Sequence, residues 1–101
     1  MIPLLTQEEF ETLRSSELEK PALIYFTAKW CGPCRAFDWE SIKDSLKGYS
    51  VFICDVDDNN YTPGFCGVRS IPNFLVITTE KKIKGPTQTS NSLKLLDWLN
   101  E

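Results

Sequence analysis

The chain has 101 residues, a formal net charge of −3 and no histidine. Its length suits a single domain (residues 1–101) with one hydrophobic core. The acidic balance argues against nucleic-acid binding, because the densest basic stretch is only Lys81-Lys82 with Lys84 in an expected hairpin. The lack of histidine excludes Ser-His-Asp catalysis, Cys-His catalysis and histidine metal sites within these residues.

Neither a membrane span nor a targeting segment is visible in the sequence. No apolar stretch approaches the roughly 20 residues that a membrane helix needs, and no basic region followed by an apolar run opens the chain. We therefore expect a cytoplasmic chain that does not bind a membrane, and a monomer because no feature indicates an oligomer. In a reducing cytosol, cysteines are more often catalytic or metal-bound than structural.

A capping box marks the first helix. Thr6 stands three residues before Glu9, the spacing that lets each side chain bond the other residue's backbone N–H. The helix should run from about Gln7 to Ser16 and bury a short apolar stripe, Phe10 and Leu13. The short apolar stretch Met1 to Leu5 contains Pro3 and predicts an edge strand at best.

A central strand and a redox motif follow. Pro21 to Thr27 is almost wholly apolar, which is typical of a strand buried on both faces. At its end stands Trp30-Cys31-Gly32-Pro33-Cys34, a Cys-x-x-Cys pair that predicts redox chemistry. Unpaired N–H groups at a helix start stabilise a thiolate, so Cys31 is the expected exposed nucleophile. Cys34, one turn further in and shielded, is expected to attack the mixed disulfide and release the substrate.

The helix after this motif is predicted from about Cys34 to Lys47, with Gly48 as its C-cap. We expect Gly32 to permit a tight turn before it, and Pro33 to suit its first turn, where no N–H is needed. Trp39 should be partly exposed. Three apolar residues of this helix should face the sheet, namely Phe37, Ile42 and Leu46.

The second half of the chain predicts three strands and two helices. They are expected at Ser50–Val56 (strand), Tyr61–Cys66 (helix, ended by Gly67), Asn73–Thr78 (strand), Lys82–Lys84 (strand, ended by Gly85-Pro86) and Asn91–Asn100 (helix). The last helix should pack Leu93, Leu96 and Leu99 on the sheet, with Leu95 and Trp98 widening that face. Parallel strands joined by helices, followed by a hairpin, predict an α/β fold. Its central sheet should be mixed but mostly parallel, with a C-terminal β-hairpin and with helices on both faces.

At its redox motif the sequence resembles the thioredoxin family. Residues 26–35 are similar to that family's active-site stretch, and Ile71-Pro72 is similar to its second landmark, an apolar residue followed by a cis-proline beside the disulfide. Together with the element order, the resemblance covers nearly the whole chain. It implies a thioredoxin fold, Trp30 as a wall for the substrate, a substrate groove at Ile71 and Pro72, and Gly85 in a loop that flanks this groove.

The sequence departs from the family behind the disulfide. Typical thioredoxins bury an aspartate in the central strand with a lysine near it, but the matching residues here are Tyr25 and Ile53. A tyrosine with an ordinary pKa of about 10 cannot act as a base near neutral pH, although its hydroxyl can donate to the sulfur of Cys34. Tyr25 and the positive charge of Arg35 are expected to shift the pKa values of the two cysteines. The family's mid-helix proline is absent near Trp39, so we expect a straighter helix.

Other uses of the cysteines are open at this point. A Cys₄ zinc site usually has two close pairs, whereas the spacing C-x2-C-x19-C-x11-C has one. Cys54 is expected to be a small buried residue, and Cys66 to be either inert or a modified, regulatory thiol. Asp55, Asp57 and Asn59 match the first positions of an EF-hand loop, but its glycine and final glutamate are missing. We therefore expect no metal site.

These features predict a thiol–disulfide oxidoreductase that reduces protein disulfides, with Cys31 as nucleophile and Cys34 as resolving thiol. The resemblance implies disulfide-containing proteins as substrates and thioredoxin reductase or a glutathione system as electron donor, with no cofactor beyond the cysteine pair. An oxidase or isomerase of the same fold fits less well, since Gly-Pro between the cysteines resembles the reducing members. The alternative from another class is a non-catalytic binding or assembly module that uses the groove around Trp30 and Pro72.

Overall fold

A computed structural model describes residues Met1–Glu101. Its strands and helices follow in the order β1 Ile2–Pro3, α1 Gln7–Ser15, β2 Ala22–Thr27, α2 Gly32–Arg35, a 3₁₀ helix Glu40–Leu46, β3 Ser50–Asp55, α3 Tyr61–Cys66, β4 Asn73–Ile77, β5 Ile83–Gln88 and α4 Ser92–Leu99. The predicted order of strands and helices is thus confirmed, with one helix divided into two pieces. None of the helices combines the length and the apolar composition of a transmembrane span.

The five strands form one sheet in the order β1-β3-β2-β4-β5. Strands β1 and β2 both run parallel to β3, whereas β4 runs antiparallel to β2 and to β5. Four strands therefore point in one direction and β4 points in the other. This confirms the predicted mixed, mostly parallel sheet with a C-terminal hairpin.

The side chains of β2 alternate between two buried layers, because successive residues of a strand point to opposite faces. Leu23 and Tyr25 pack in the layer that contains α2, the 3₁₀ helix and α4. Ile24 and Phe26 pack in the layer that contains α1 and α3. All four side chains are at most 3% exposed, so β2 is the central strand that its apolar sequence predicts, with helices on both faces.

Helix α1 begins as its capping box predicts. The Glu9 N–H donates to Thr6 Oγ1 at 3.1 Å, and the Thr6 N–H donates to Glu9 Oε1 at 3.2 Å. These bonds use N–H groups that the helix itself leaves without partners. The cap sets which side of α1 meets the sheet, and Phe10 and Leu13 are buried there as expected.

The predicted continuous helix from Cys34 to Lys47 is wrong. Helix α2 ends at Arg35, and the chain becomes helical again only in the 3₁₀ helix, so the expectation of a straighter helix is also wrong. The reason is aromatic packing. Residues two apart do not share a face of an α-helix, yet Phe37 and Trp39 both contact Tyr25 and Phe74, with ring centroids 4.9 to 6.2 Å apart. An interrupted helix lets both rings reach this cluster, and Trp39 is half-buried there.

The predicted helix-to-sheet contacts hold for Phe37, Ile42 and Leu46, which are all buried. In α4 the expected contacts hold for Leu95, Leu96, Trp98 and Leu99 but not for Leu93. Leu93 is 66% exposed, whereas Leu95 is fully buried at the centre of the contact with the sheet. Asn91 accepts the Lys94 N–H at 3.0 Å and starts the helix at Ser92, so the helix rotation places Leu95 toward the core.

Strand β5 is longer than predicted. It runs through Gly85-Pro86 to Gln88, because a register irregularity opposite Phe74 to Val76 accommodates both residues. The proline is tolerated since β5 is an edge strand, where a missing N–H breaks no ladder on the open side. The strand therefore continues to the end of the sheet that carries the cysteine pair, and Gln88 pairs with Asn73.

Candidate active site

The cysteine pair lies just beyond the carboxyl end of β2. Cys31 and Cys34 form a disulfide with Cα atoms 5.2 Å apart. Cys31 is the N-cap of α2, and the Cys34 N–H donates to Cys31 Sγ at 3.2 Å. Helix α2 has only four residues, so the direct N–H contact, rather than a long helix dipole, is the group that favours negative charge on this sulfur.

The two residues between the cysteines fit this helix start in different ways. Pro33 lies in the first turn of α2, as predicted, where the missing N–H costs no helical bond. Gly32 is a helical residue, and a Cβ added to it would meet no atom within 4 Å. The backbone of Gly32 is one that any residue adopts, so the turn does not depend on the conformational freedom of glycine at this position.

Cys31 is less accessible than predicted. Both Cys31 and Cys34 are only 4% exposed, so the expected contrast between an exposed and a shielded cysteine is absent in the disulfide form. The disulfide and the Cys34 N–H hold the Cys31 side chain against an apolar cluster that includes Ala28 and Phe37. Exposure is instead concentrated on the preceding residue, Trp30, whose side chain is 67% exposed.

A groove lies beside Trp30, the residue that precedes Cys31. It has a volume of about 590 Å³ and is lined by Trp30, Val56, Asn60, Pro63, Gly64, Val68, Arg69, Ser70 and Ile71. We call this surface the Trp30 groove. The Trp30 indole N–H donates to Asp57 Oδ2 at 2.9 Å and so holds the exposed ring in place. The peptide bond between Ile71 and Pro72 is cis, which confirms the prediction for this pair.

The segment that contributes Ser70 and Ile71 to the groove is held by an asparagine that sequence reasoning missed. The Asn73 side-chain amide donates to the Ser70 carbonyl at 3.1 Å, and its Oδ1 accepts the Phe74 N–H at 2.8 Å. Asn73 is 5% exposed, so these bonds satisfy a buried polar group and fix the chain on either side of Pro72. A polar residue directly after Ile-Pro, at the start of an otherwise apolar strand, is the signal that could have identified it.

Gly85 does not lie in a loop beside the groove, as the resemblance implied. It is part of β5, with φ +102°, and a Cβ there would lie 3.0 Å from the Phe74 carbonyl oxygen and 3.0 Å from Trp98 Cζ2. Its position is thus dictated by the close packing of α4 on the hairpin. The residue of β5 that lies level with Asn73, next to Pro72, is Gln88.

Comparison with known proteins agrees with this geometry. The thioredoxin family model matches residues 1–101. This chain belongs to the thioredoxin family. A thioredoxin of Rickettsia conorii is 37% identical over 90 residues, which cover 84% of each chain. A thioredoxin of Haemophilus influenzae is 31% identical over 84 residues, which cover 80% of this chain and 78% of that one.

Solved structures are similar over nearly the same length. The thioredoxin of Fasciola hepatica superimposes with a TM-score of 0.85 at 25% identity, covering 99% of this chain and 97% of that one. The thioredoxin of Trypanosoma brucei brucei, at 24% identity and a TM-score of 0.84, covers 99% and 88%. The predicted thioredoxin fold is confirmed. Family membership together with the Cys31–Cys34 pair supports thiol–disulfide oxidoreductase chemistry.

Tyr25 stands in the strand position where typical thioredoxins are expected to bury an aspartate. Its hydroxyl donates to the Cys34 carbonyl oxygen at 3.0 Å, so it contacts the backbone of Cys34 rather than the sulfur. Its ring stacks on Phe74 at 5.3 Å and meets Trp39 edge-on at 4.9 Å. Burial raises the pKa of Tyr25 above its ordinary value, because the charged phenolate is disfavoured away from water. Tyr25 therefore holds its proton at neutral pH.

The residue beside Tyr25 on β3 is Ile53, in register with it and half-buried. It lines a depression of about 600 Å³ together with Ala28 and Asp55. The lysine that the family pattern leads one to expect is thus replaced by an aliphatic side chain. Arg35, the other charged residue expected to act on the pair, is exposed, and its guanidinium donates to the Lys29 carbonyl at 3.2 Å.

Cys54 and Cys66 are free thiols on the opposite side of the sheet. Cys54 is fully buried, as predicted, and Cys66 is half-buried. Burial raises the pKa of Cys54 to about 12 and that of Cys66 to about 11. Neither thiol is therefore a ready nucleophile near neutral pH, since the thiolate is the reactive form.

The raised pKa values of these two thiols lead us to expect that the protein loses stability at alkaline pH. In the unfolded chain they lose their protons near the ordinary value of about 8.5, so between there and the folded pKa values the folded state binds more protons. The contribution of these thiols to the free energy of unfolding is complete below about pH 8.5. As the pH rises further, the free energy of unfolding falls by up to about 1.4 kcal/mol per pH unit for the buried Cys54. Urea unfolding of the oxidised protein from pH 8 to pH 11 measures this slope. Cys54→Ala should give a shallower slope, and an unchanged slope would contradict the prediction.

The acidic loop after β3 does not form the EF-hand site that its spacing hinted at. Asp55 Oδ1 accepts the Asp57 N–H at 2.9 Å, while Asp57 binds the Trp30 indole. No group of three or more His, Cys, Asp or Glu side chains is placed to hold a metal ion. These carboxylates shape the loop and position Trp30 instead.

Proposed function

We propose that this chain reduces disulfides of protein substrates, with Cys31 as the nucleophile. The observation that carries the proposal is the contact of 3.2 Å from the Cys34 N–H to Cys31 Sγ, at a helix start beside an exposed tryptophan. A hydrogen bond to the charged form stabilises a thiolate. Cys34 is the less suitable attacker, because its sulfur receives no such hydrogen bond and its own N–H is the group that donates to Cys31 Sγ.

In the proposed reaction the Cys31 thiolate attacks one sulfur of the substrate disulfide. A Cys31–substrate bond forms, the substrate S–S bond breaks, and one substrate thiolate leaves. The Cys34 thiolate then attacks Cys31 Sγ, which closes the Cys31–Cys34 disulfide and releases the second substrate thiolate. The substrate gains two electrons and the cysteine pair loses two. The disulfide form described above is therefore the oxidised product of the cycle.

The cycle needs a donor that returns two electrons to the disulfide. A reductase flavoenzyme of the kind that serves thioredoxins, or a glutathione system, has the required chemistry, and we propose one of these as the partner. The redox group is the cysteine pair itself, so the proposal requires no further cofactor. A reducing cytoplasm is the compartment in which such a dithiol is kept reduced.

Reduction of insulin disulfides with dithiothreitol as electron donor tests this proposal. Wild type should accelerate the reaction, and Cys31→Ser should lose the acceleration, because serine offers no thiolate. Cys66→Ala is the matched control, since it removes a thiol of raised pKa on the other side of the sheet and should keep wild-type turnover. No acceleration by folded wild type would contradict the proposal and would favour the alternative, a binding module that uses the Trp30 groove.

We further propose that the resolving step is slow in this chain. A carboxylate in the position of Tyr25 would accept a proton from the buried Cys34 thiol, whereas the phenol, with its pKa raised by burial, stays protonated. Ile53 beside it supplies no charge. The mixed disulfide therefore persists until Cys34 loses its proton to water.

Substitution of Tyr25 tests the slow resolving step. In single-turnover stopped-flow experiments, Tyr25→Asp should release the substrate about 10-fold faster at pH 7. This is less than the roughly 100-fold or more that a fully positioned base contributes, because the Tyr25 side chain contacts the Cys34 carbonyl rather than its sulfur. Tyr25→Phe is the control: it removes the hydroxyl bond to Cys34 and costs about 1 kcal/mol of stability, but it adds no base and should leave the release rate unchanged. Equal release rates for Tyr25→Asp and wild type, with both folded by circular dichroism, would refute the idea.

A further inference from the structure

The Trp30 groove has a single charged residue in its lining, Arg69. Arg69 is exposed and makes no ion pair, since the three ion pairs of the protein join other residues. Its guanidinium also takes part in none of the side-chain hydrogen bonds, unlike that of Arg35, which is held by the Lys29 carbonyl. The Arg69 guanidinium is therefore an unpaired positive charge in a groove whose other lining residues are neutral.

Positive and negative charges lie at different places around the Trp30 groove. Helix α3, which supplies Pro63 and Gly64 to the lining, has no charged residue. At Trp30, the carboxylate of Asp57 accepts the indole N–H. A substrate segment that lies in the groove thus meets negative charge near Trp30 and positive charge at Arg69.

The distance from Arg69 to the disulfide sets where a substrate charge would have to be. Arg69 lies three positions before Pro72, a span of at most about 11 Å, and it lines the same groove as Trp30, the residue next to Cys31. An extended substrate segment advances about 3.3 Å per residue. A carboxylate that reaches Arg69 would therefore belong to a residue within about three positions of the attacked cysteine, on one side of it only.

We propose that Arg69 is a specificity residue that selects substrate disulfides flanked by an acidic side chain. The occupant of the Trp30 groove is an extended protein segment whose Asp or Glu lies within about three residues of the reactive cysteine, on the side that faces Arg69. An acidic residue on the other side of the cysteine approaches Asp57 and is disfavoured. This inference names the substrate class of the reaction proposed above and rests on that function.

Two peptides of identical composition test the inference. Each is a disulfide-linked homodimer with one cysteine; one peptide has Glu two positions before the cysteine and Gln two positions after it, and the other has them exchanged. Their net charges are equal, so the overall charge of the protein affects both alike. The rate constants for their reduction by the dithiol form of wild type should differ by about two- to five-fold, the effect of one exposed ion pair. The difference should shrink at an ionic strength of about 1 M.

Three variants assign the difference to Arg69. Arg69→Gln should make the two peptides react at the same rate, and Arg69→Glu should reverse their order. Lys82→Gln is the matched control, because it removes an exposed positive charge from the β4–β5 turn, outside the groove, and should keep the wild-type ratio. The ratio of the two rates is the readout, so a general change of activity in a variant does not affect the conclusion.

The outcomes separate the specificity of Arg69 from the proposed function. Two results would show that the proposed role of Arg69 is wrong, while the reductase function stands. One is that wild type reduces insulin but reduces the two peptides at the same rate, and the other is that the rate difference between the peptides persists in Arg69→Gln. If wild type reduces neither insulin nor the peptides, the proposed function fails and the inference fails with it.

Discussion

Cys34→Ser should stop the reaction at the mixed disulfide and lower insulin turnover by about three orders of magnitude or more. The nucleophile remains, so Cys31 can still form a bond with a substrate sulfur, but a serine hydroxyl cannot displace the substrate. The Cys34 backbone N–H that donates to Cys31 Sγ is retained in this variant, so the attack itself is preserved. Mass spectrometry of the trapped species should find one substrate chain attached to Cys31.

The other thiols of the chain supply the controls for this experiment. The double variant Cys31→Ser/Cys34→Ser retains Cys54 and Cys66, whose raised pKa values make them poor attackers, and it should trap no substrate. Trapping by the double variant at the level of Cys34→Ser would show that Cys31 is not the attacking residue. Absence of a trapped species in Cys34→Ser itself would remove the support for a Cys31-first mechanism.

Gly85→Ala should lower the free energy of unfolding by about 2–5 kcal/mol. Two costs add: a non-glycine residue at φ +102° is strained, and its Cβ would lie 3.0 Å from the Phe74 carbonyl oxygen and from Trp98. The carbonyl belongs to the sheet backbone and cannot move aside without disturbing β4. Because domains of this kind are stable by only about 5–15 kcal/mol, urea unfolding should detect the loss as a large shift of the midpoint.

Gly64→Ala provides the matched comparison. Gly64 lies in helix α3, where an added Cβ meets no atom within 4 Å. The same substitution there should be neutral or should stabilise the protein by about 0.5–1 kcal/mol, since alanine is the better helix residue. If Gly85→Ala and Gly64→Ala unfold at the same urea concentration as wild type, the close contact of Gly85 with Phe74 and Trp98 carries no energetic weight.

Local patterns predicted the elements whose signals lie within a few residues. The capping box of Thr6 and Glu9 placed the start of α1 correctly, because both partners of each hydrogen bond are close in sequence. The apolar run before the redox motif became the central strand, and Gly67, with φ +75°, ends α3 as predicted. The spacing of Cys31 and Cys34 at a strand-to-helix turn was sufficient to predict the disulfide.

The errors arose where distant residues compete with a local signal. The helical pattern after Cys34 is continuous in the sequence, but Phe37 and Trp39 both pack on Tyr25 and Phe74, which come from two separate strands. Gly85-Pro86 is an ordinary turn pair in sequence terms, and only its pairing beside β4 makes it part of a strand.

The sequence by itself thus determined the redox pair, the order of the strands and helices and the Ile71–Pro72 landmark, because each is expressed by neighbouring residues. Tertiary structure alone decided that Cys31 is buried in the disulfide form, that Asp57 holds Trp30 and that the Tyr25 hydroxyl bonds the Cys34 carbonyl. These features join residues that are far apart in the chain or depend on side-chain packing around the disulfide. No local pattern specifies them, because their energies depend on which surfaces the folded sheet brings into contact.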